Sequence, residues 1–278
     1  MTLTMLAYVK LQVYLNGEDI MKPKNRSQPA EFGSRIFGEH RYVKLSAFGG
    51  LCHQRDPNNA RRLVFVGHGW GALIGFCFVT LYEKLVYRMI VINGYHPLAF
   101  VKQLRRSPKQ MMMSWYTVAF RVPLLPEQYM TISDFAFFDY ILWDSSTEEE
   151  VNATKYVYSR PGALTAALNY YRAFNYDSEQ FMKLKYRKIR VPTLIMWGEK
   201  DRYLTTPIAE FNRKHLKTSS VVYYPEAGHW LMRQCAVSVN NHIFEFASTG
   251  KISYTKRAAE SKVAGNICAE SPKPSEKS

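Results

Sequence analysis

An α/β fold with a mostly parallel sheet follows from three features of the 278-residue sequence. Residues 62–66 form an apolar, strand-like run that ends in glycine, and a strongly apolar helical stretch follows at 70–85. A β-branched run at 87–93 comes next, so strand, helix and strand succeed one another in the order of a right-handed parallel crossover. Two more strand-like runs, 191–197 and 219–224, enclose a helical stretch near 207–215 and extend the alternation.

Composition bounds the possibilities further. Hydrophobic residues make up 47% of the chain and aromatics 14%, a globular composition with enough apolar mass for a large core. The net charge of +14 raises nucleic acid or an anionic membrane surface as partners. The 37 Lys and Arg residues are scattered, densest at 102–109 and 183–190, without the spaced surface aromatics of a single-strand binder, so no nucleic-acid partner is expected. Cys52, Cys77, Cys235 and Cys268 form neither a CxxC pair nor a Cys/His cluster, which predicts reduced thiols, no zinc site and a cytoplasmic setting. No stretch reaches the ~18 uninterrupted apolar residues of a transmembrane span, and the first 15 residues lack the features of a signal peptide.

In chain order, residues 8–15 alternate apolar and polar and run into Asn16-Gly17, a strand and turn signal. Periodicity is then lost over 21–60, so 1–60 reads as an irregular N-terminal segment. Residues 61–98 and 189–248 carry the strand-helix alternation of a core. Between them, 99–188 changes to long helical patterns rich in Met, Phe and Tyr, broken at Pro123, Pro126 and Pro161. Glu148, Glu149 and Glu150 suit the first turn of a helix over 147–159, and Pro161-Gly162 opens another to about 174. Residues 249–278, rich in Lys, Ser, Glu and Pro, read as a disordered tail.

The most pointed stretch is Leu-Val-Phe-Val-Gly-His-Gly-Trp-Gly-Ala at 63–72. A strand runs into a helix through glycines, the outline of a strained elbow that presents its middle residue to a pocket. That residue is Gly69, which has no side chain with which to attack anything. Asp201 follows a late strand, and His229 sits in a Gly-His-Trp turn after the last one. Elbow, acid and histidine thus occur in the order of a nucleophile, an orienting acid and a base. Each alone has a plainer reading, since an aspartate after a strand also caps helices and a histidine also serves as an ordinary hydrogen-bond partner.

Six segments carry a resemblance: Val-Gly-His-Gly-Trp-Gly at 66–71, Val-Ile-Asn-Gly-Tyr-His-Pro at 91–97, Pro-Gly-Ala-Leu at 161–164, Asn-Tyr-Tyr-Arg at 169–172, Pro-Thr-Leu-Ile-Met-Trp-Gly at 192–198 and Ala-Gly-His-Trp at 227–230. Through them the chain resembles the epoxide hydrolases of the α/β-hydrolase fold over about residues 62–248. The resemblance implies an α/β-hydrolase-like, mostly parallel sheet with 99–188 as an inserted helical lid, and hydrolysis of an epoxide to a diol as the parent reaction. In that family an elbow aspartate attacks the epoxide to form an ester, two lid tyrosines hold the epoxide oxygen, and a histidine paired with an acid activates the hydrolytic water. Carried over by motif, Asp201 and His229 match the acid and base, Tyr171 the lid tyrosine of Asn-Tyr-Tyr-Arg, and Tyr116 in Ser-Trp-Tyr-Thr at 114–117 the other. Tyr116 also fits a core stripe with Trp115 and Phe120. Trp70 and His68 flank the nucleophile position as substrate-binding residues, Trp70 with its N–H toward the oxyanion hole and His68 as a packed neighbour. The reaction class needs no metal or organic cofactor, and the implied partner is a small apolar, epoxide-like molecule.

Two departures bear on the activity. Gly69 stands where the family has aspartate, and no His-Gly-x-Pro segment, the family's second oxyanion-hole donor, occurs before residue 62. The strands that precede the elbow strand in the family are largely missing, which predicts an unpaired apolar sheet edge unless residues 1–60 or a partner cover it. Three readings follow: a relative with turnover impaired or lost that serves as a ligand-binding or protein-interaction module, a slow hydrolase in which His229 activates water directly, or a truncated product without function.

Overall fold

The computed structural model describes residues 14–15, 18–19, 51–55, 61–184 and 186–253. Near the N-terminus β1 (Tyr14–Leu15) pairs antiparallel with β2 (Glu18–Asp19), on either side of the expected turn. The rest of that expected strand, 8–13, and the turn residues themselves lie outside the described residues.

The main sheet has the order β3-β4-β5-β6-β7, from β3 (Leu51–Arg55), β4 (Arg61–His68), β5 (Val86–Ile92), β6 (Thr193–Gly198) and β7 (Ser219–Tyr224). β4 to β7 are parallel, whereas β3 lies antiparallel on β4, with Leu51 opposite Phe65 and Arg55 opposite Arg61. This corrects one expectation, since 21–60 is not wholly irregular, and decides between the alternatives for the elbow strand's outer edge, which residues of 1–60 cover through β3. Leu-Cys-His-Gln-Arg carries no strand-like alternation, but the open backbone donors and acceptors of β4 supply the reason for it to extend.

β6 is buried at every position and β5 at all but Tyr87, as expected of central strands covered on both faces. α1 (Trp70–Tyr82) follows β4 directly and is buried without interruption from Trp70 to Val79, so it is apolar all round. On its side of the sheet Leu73, Phe76, Val91, Ile195 and Trp197 form one core; on the other, Ile90, Leu194, Met196, Leu231 and Phe246 form a second.

Between β5 and β6 run α2 (Pro97–Arg106), α3 (Pro108–Met113), α4 (Tyr116–Ala119), α5 (Leu125–Leu142), α6 (Glu148–Ser159) and α7 (Ala163–Lys183). Phe138, Leu142, Val151, Tyr158 and Leu168 give this block its own core, which also takes in Trp230. α5 is broken at 132–135, where Ser133, Asp134 and Phe135 have φ of 51°, 52° and 58°. α6 starts with a reciprocal cap: Glu150 N donates to Thr147 Oγ1 at 3.3 Å and Thr147 N to Glu150 Oε2 at 3.0 Å. Thr147→Ala should therefore lower the unfolding free energy by about 1 kcal/mol in urea titrations.

After β6 come α8 (Pro207–Arg213), β7, α9 (Leu231–Gln234) and α10 (Ala236–Thr249). Gly250 ends α10 at φ 74°, and the Arg88 guanidinium of β5 donates to the α10 carbonyls of Phe246 and Ala247, so a buried cation meets the negative end of the helix. Ile252 is buried and Ser253 N donates to Glu245 at 2.7 Å, so the expected tail is tied down through 253; its remainder lies outside the described residues. Cys77 is a buried free thiol, but Cys235 is disulfide-bonded, which corrects the expectation of reduced thiols throughout and removes that argument for a cytoplasmic setting. Among the described residues no helix is long and apolar enough to cross a membrane.

Candidate active site

Gly69 sits between β4 and α1 with φ 54° and ψ −117°, a conformation that side-chain-bearing residues adopt only under strain. Its N–H donates to Ile92 O at 3.2 Å, and its carbonyl accepts from Ala72 N at 3.1 Å and Leu73 N at 3.3 Å. The turn closes because its flanks are bare: a Cβ on Gly67 would stand 2.7 Å from Gly71 O, and one on Gly94 2.2 Å from the Ala72 methyl.

Asp201 follows β6 and is held by four donors. His229 Nδ1 donates to its Oδ2 at 2.7 Å, Asn93 Nδ2 to Oδ2 at 2.7 Å, Tyr203 N to Oδ1 at 2.7 Å and Leu204 N to Oδ1 at 3.0 Å. Both side chains of the Asp201–His229 pair are removed from solvent, at 0% and 1% exposure. With Nδ1–H committed to the carboxylate, the neutral ring presents Nε2 as an acceptor, and among the described residues Nε2 has no hydrogen-bond partner. A buried imidazole fixed in this tautomer can take a proton from a water or hydroxyl group.

Asn93 is the site residue that sequence reasoning passed over. It is fully buried at the end of β5 with φ 37°, donates to Asp201, and accepts from Gly198 N at 2.9 Å, tying β5 to β6 at the point where the acid leaves the sheet. A polar residue ending an apolar strand at 91–93 was the available signal, but it gave no hint of a partner 108 residues away. Tyr203 was missed as well; its ring lies 5.0 Å from His229 and 5.5 Å from Tyr116.

Trp70 meets Tyr171 edge-on at 5.4 Å, Tyr171 lies 6.0 Å from Tyr116, and Phe120 packs on both tyrosines. Tyr116 and Tyr171 are buried in the same core cluster as Trp70. Burial, with Tyr171 beside it, pushes the Tyr116 phenol well above its ordinary pKa, so it stays protonated and able to donate. His68 donates through Nε2 to His229 O at 2.8 Å, and its ring lies 4.5 Å from that of His229; burial holds its pKa well below the ordinary value. The structure thus brings Gly69, Trp70, His68, Tyr116, Tyr171, Asp201 and His229 to one region of the molecule. No group of three His, Cys, Asp or Glu side chains among the described residues could hold a metal ion.

A Cβ on Gly198 would stand 2.2 Å from Gly228 O and 2.6 Å from Ala227 O, both backbone atoms of the turn carrying His229. Gly198→Ala should cost about 2 kcal/mol or more in urea unfolding, because backbone cannot move aside as a flexible side chain can. His96 accepts from Leu98 N at 3.2 Å and stacks on His215 at 3.9 Å; burial, then His215, lowers its pKa to about 2. Unfolded, the ring regains its ordinary value of 6.5 and binds a proton that the folded form refuses, so stability should fall as pH drops below that value. His96→Asn keeps a capping acceptor and should flatten the pH dependence of the melting temperature between about pH 6.5 and 4.5.

Comparison with known proteins agrees with this architecture. The α/β-hydrolase fold family matches residues 51–233. The human protein named epoxide hydrolase 4 is 32% identical over 202 residues, covering 69% of this chain and 55% of that protein. Epoxide hydrolase 3 of Xenopus tropicalis is 33% identical over 196 residues, covering 66% and 52%. The chain spans about half the length of the curated relatives it matches. Among solved structures, an epoxide hydrolase from Bacillus megaterium superposes with a TM-score of 0.61 at 25% identity, over 68% of this chain and 70% of that one. The chain belongs to the α/β-hydrolase fold family and, within it, to the epoxide hydrolases.

Proposed function

We propose that this chain forms an epoxide-hydrolase-type site that keeps the groups for holding an epoxide and activating water but lacks the covalent step, so that it binds lipophilic, epoxide-like molecules with turnover impaired or lost. The observation that carries the reading is Gly69, in elbow geometry at φ 54° and ψ −117°, in the same region as an assembled Asp201–His229 pair. In this reading 61–98 and 189–248 are the hydrolase core, 99–188 is its lid, Tyr116 and Tyr171 donate to the epoxide oxygen, and Trp70 and His68 line the pocket.

A slower route is supported by the buried Nε2 of His229, which has no hydrogen-bond partner among the described residues. His229 takes a proton from water as the water oxygen attacks an epoxide carbon; the carbon–oxygen bond opens, and a tyrosine O–H protonates the departing alkoxide. The product is the diol, and the proton on His229 returns the tyrosinate to neutrality. Without an ester intermediate this route gives up the covalent acceleration.

Purified chain given trans-stilbene oxide, next to a His229→Ala variant, tests the first reading. Binding by equilibrium dialysis with diol forming at the buffer rate for both proteins is expected. Diol formation by the unmodified chain that His229→Ala abolishes would favour direct water activation, and absence of binding would remove the pocket from the account.

A further inference from the structure

The segment 105–125 is amphipathic with its apolar side outward. Two of its uncharged polar residues turn in: Gln110 and Ser114 are buried, and the Gln110 amide bonds to Ser114 Oγ, Tyr203 O and both the N–H and hydroxyl of Thr205. Apart from Tyr116 and Phe120, which pack inward, most of its large apolar residues turn out, with Met112 75%, Trp115 67% and Val118 64% exposed. Met111, Trp115, Val118 and Val122 follow one another at the four- and three-residue steps of a helical face, and Leu124 and Leu125 continue the exposed run. Turn-type hydrogen bonds link α3 through α4, among them Val118 N to Trp115 O at 3.0 Å and Val122 N to Ala119 O at 3.2 Å. A surface helix normally presents the opposite arrangement, and contiguous exposed patches of this kind mark interaction sites.

Charge selects the partner. Arg105, Arg106 and Lys109 are exposed immediately before the apolar run. No Asp or Glu occurs anywhere in 98–126. Exposed Met, Leu and Trp beside uncompensated cations are what an anionic lipid surface accepts: apolar side chains enter the acyl boundary, tryptophan sits at the headgroup level, and Arg and Lys meet the lipid phosphates and carboxylates. The net charge of +14 acts in the same direction. We propose that the α2–α5 surface over residues 105–125 is a docking face for an anionic lipid bilayer, which would lie against the outside of the turn that carries Tyr116 on its inside. Docking does not depend on whether the site turns over.

Co-sedimentation of the full chain with phosphatidylcholine vesicles, and with vesicles of phosphatidylcholine and phosphatidylserine, tests this. The chain should pellet with the anionic vesicles, less so as salt rises, and stay largely in solution with the neutral ones. Replacing Arg105, Arg106 and Lys109 together by Glu, or Met112 and Trp115 together by Ser, should weaken anionic binding at least about tenfold each, with the melting temperature kept because these side chains are solvent-facing. Absence of binding to either vesicle, equal binding to both, or variants that bind like the unmodified chain would overturn the proposal. A dimer that Trp115→Ser dissociates, with no vesicle binding, would also overturn it and assign the face to a second copy of the chain.

Discussion

Gly69→Asp should raise epoxide hydrolysis by this chain on the order of a hundredfold to a thousandfold and lower its unfolding free energy by about 1–3 kcal/mol. Both effects come from one backbone feature. At φ 54° and ψ −117° glycine is at ease, whereas any residue with a Cβ pays for the conformation. In the proposed reading the same conformation presents the residue that occupies it to the substrate, so the strain and the gain in attack are inseparable. A carboxylate there could add to an epoxide carbon, with the tyrosines meeting the opening oxygen and His229 delivering water to the ester. The gain should stay below that of a complete enzyme, because the sequence before residue 62 has no His-Gly-x-Pro segment to complete the oxyanion hole. Gly69→Ala separates the two effects: it should carry the stability cost without the activity. Product formation and urea midpoints measured on the three proteins check this directly.

Asp201→Ala should be among the most damaging substitutions at the site, costing about 3–5 kcal/mol in urea unfolding. The carboxylate accepts from Asn93 Nδ2, Tyr203 N, Leu204 N and His229 Nδ1, and alanine takes this acceptor from all four; Asn93 Nδ2 keeps only its longer bond to Gly198 O at 3.2 Å. Asp201→Asn should cost less, since one amide oxygen can still serve the two backbone N–H groups. Its NH₂ would face Asn93 and His229, forcing His229 to accept at Nδ1 and so to carry its proton on Nε2. Any diol formation shown by the Gly69→Asp form should therefore vanish when Asp201→Asn is added, with the fold retained in circular dichroism. A double variant that stays active would mean that His229 does not act through Asp201.

What the sequence disclosed follows from where the physical signal is local. β5 and β6 were legible because strands buried on both faces must be nearly continuous apolar runs, and β4 and β7, which are only partly buried, because their runs are rich in β-branched and aromatic residues. The start of α6 was legible from its acidic first turn, and the positions of Asp201 and His229 from glycine-flanked turns after strands. β3 was not, because Leu-Cys-His-Gln-Arg has no alternation and forms on the edge that β4 offers. Asn93 and Tyr203 were not, because their importance arises from contacts across the sheet that no local pattern encodes. The 105–125 segment was legible as helical and Met-rich, yet periodicity alone cannot say which side faces in; the Gln110 hydrogen bonds decide that. The thiol chemistry of Cys235 was likewise a matter of tertiary contact and not of spacing.

In the proposed reading the groups that support epoxide opening remain while the attacking group is absent. Rapid acid quench of the unmodified chain and of Gly69→Asp after mixing with trans-stilbene oxide, followed by intact-mass measurement, addresses it most directly. Gly69→Asp should gain the mass of one epoxide, mapped to residue 69, and the unmodified chain none. An epoxide adduct on the unmodified chain would contradict the proposed reading, because some other residue would then be the nucleophile.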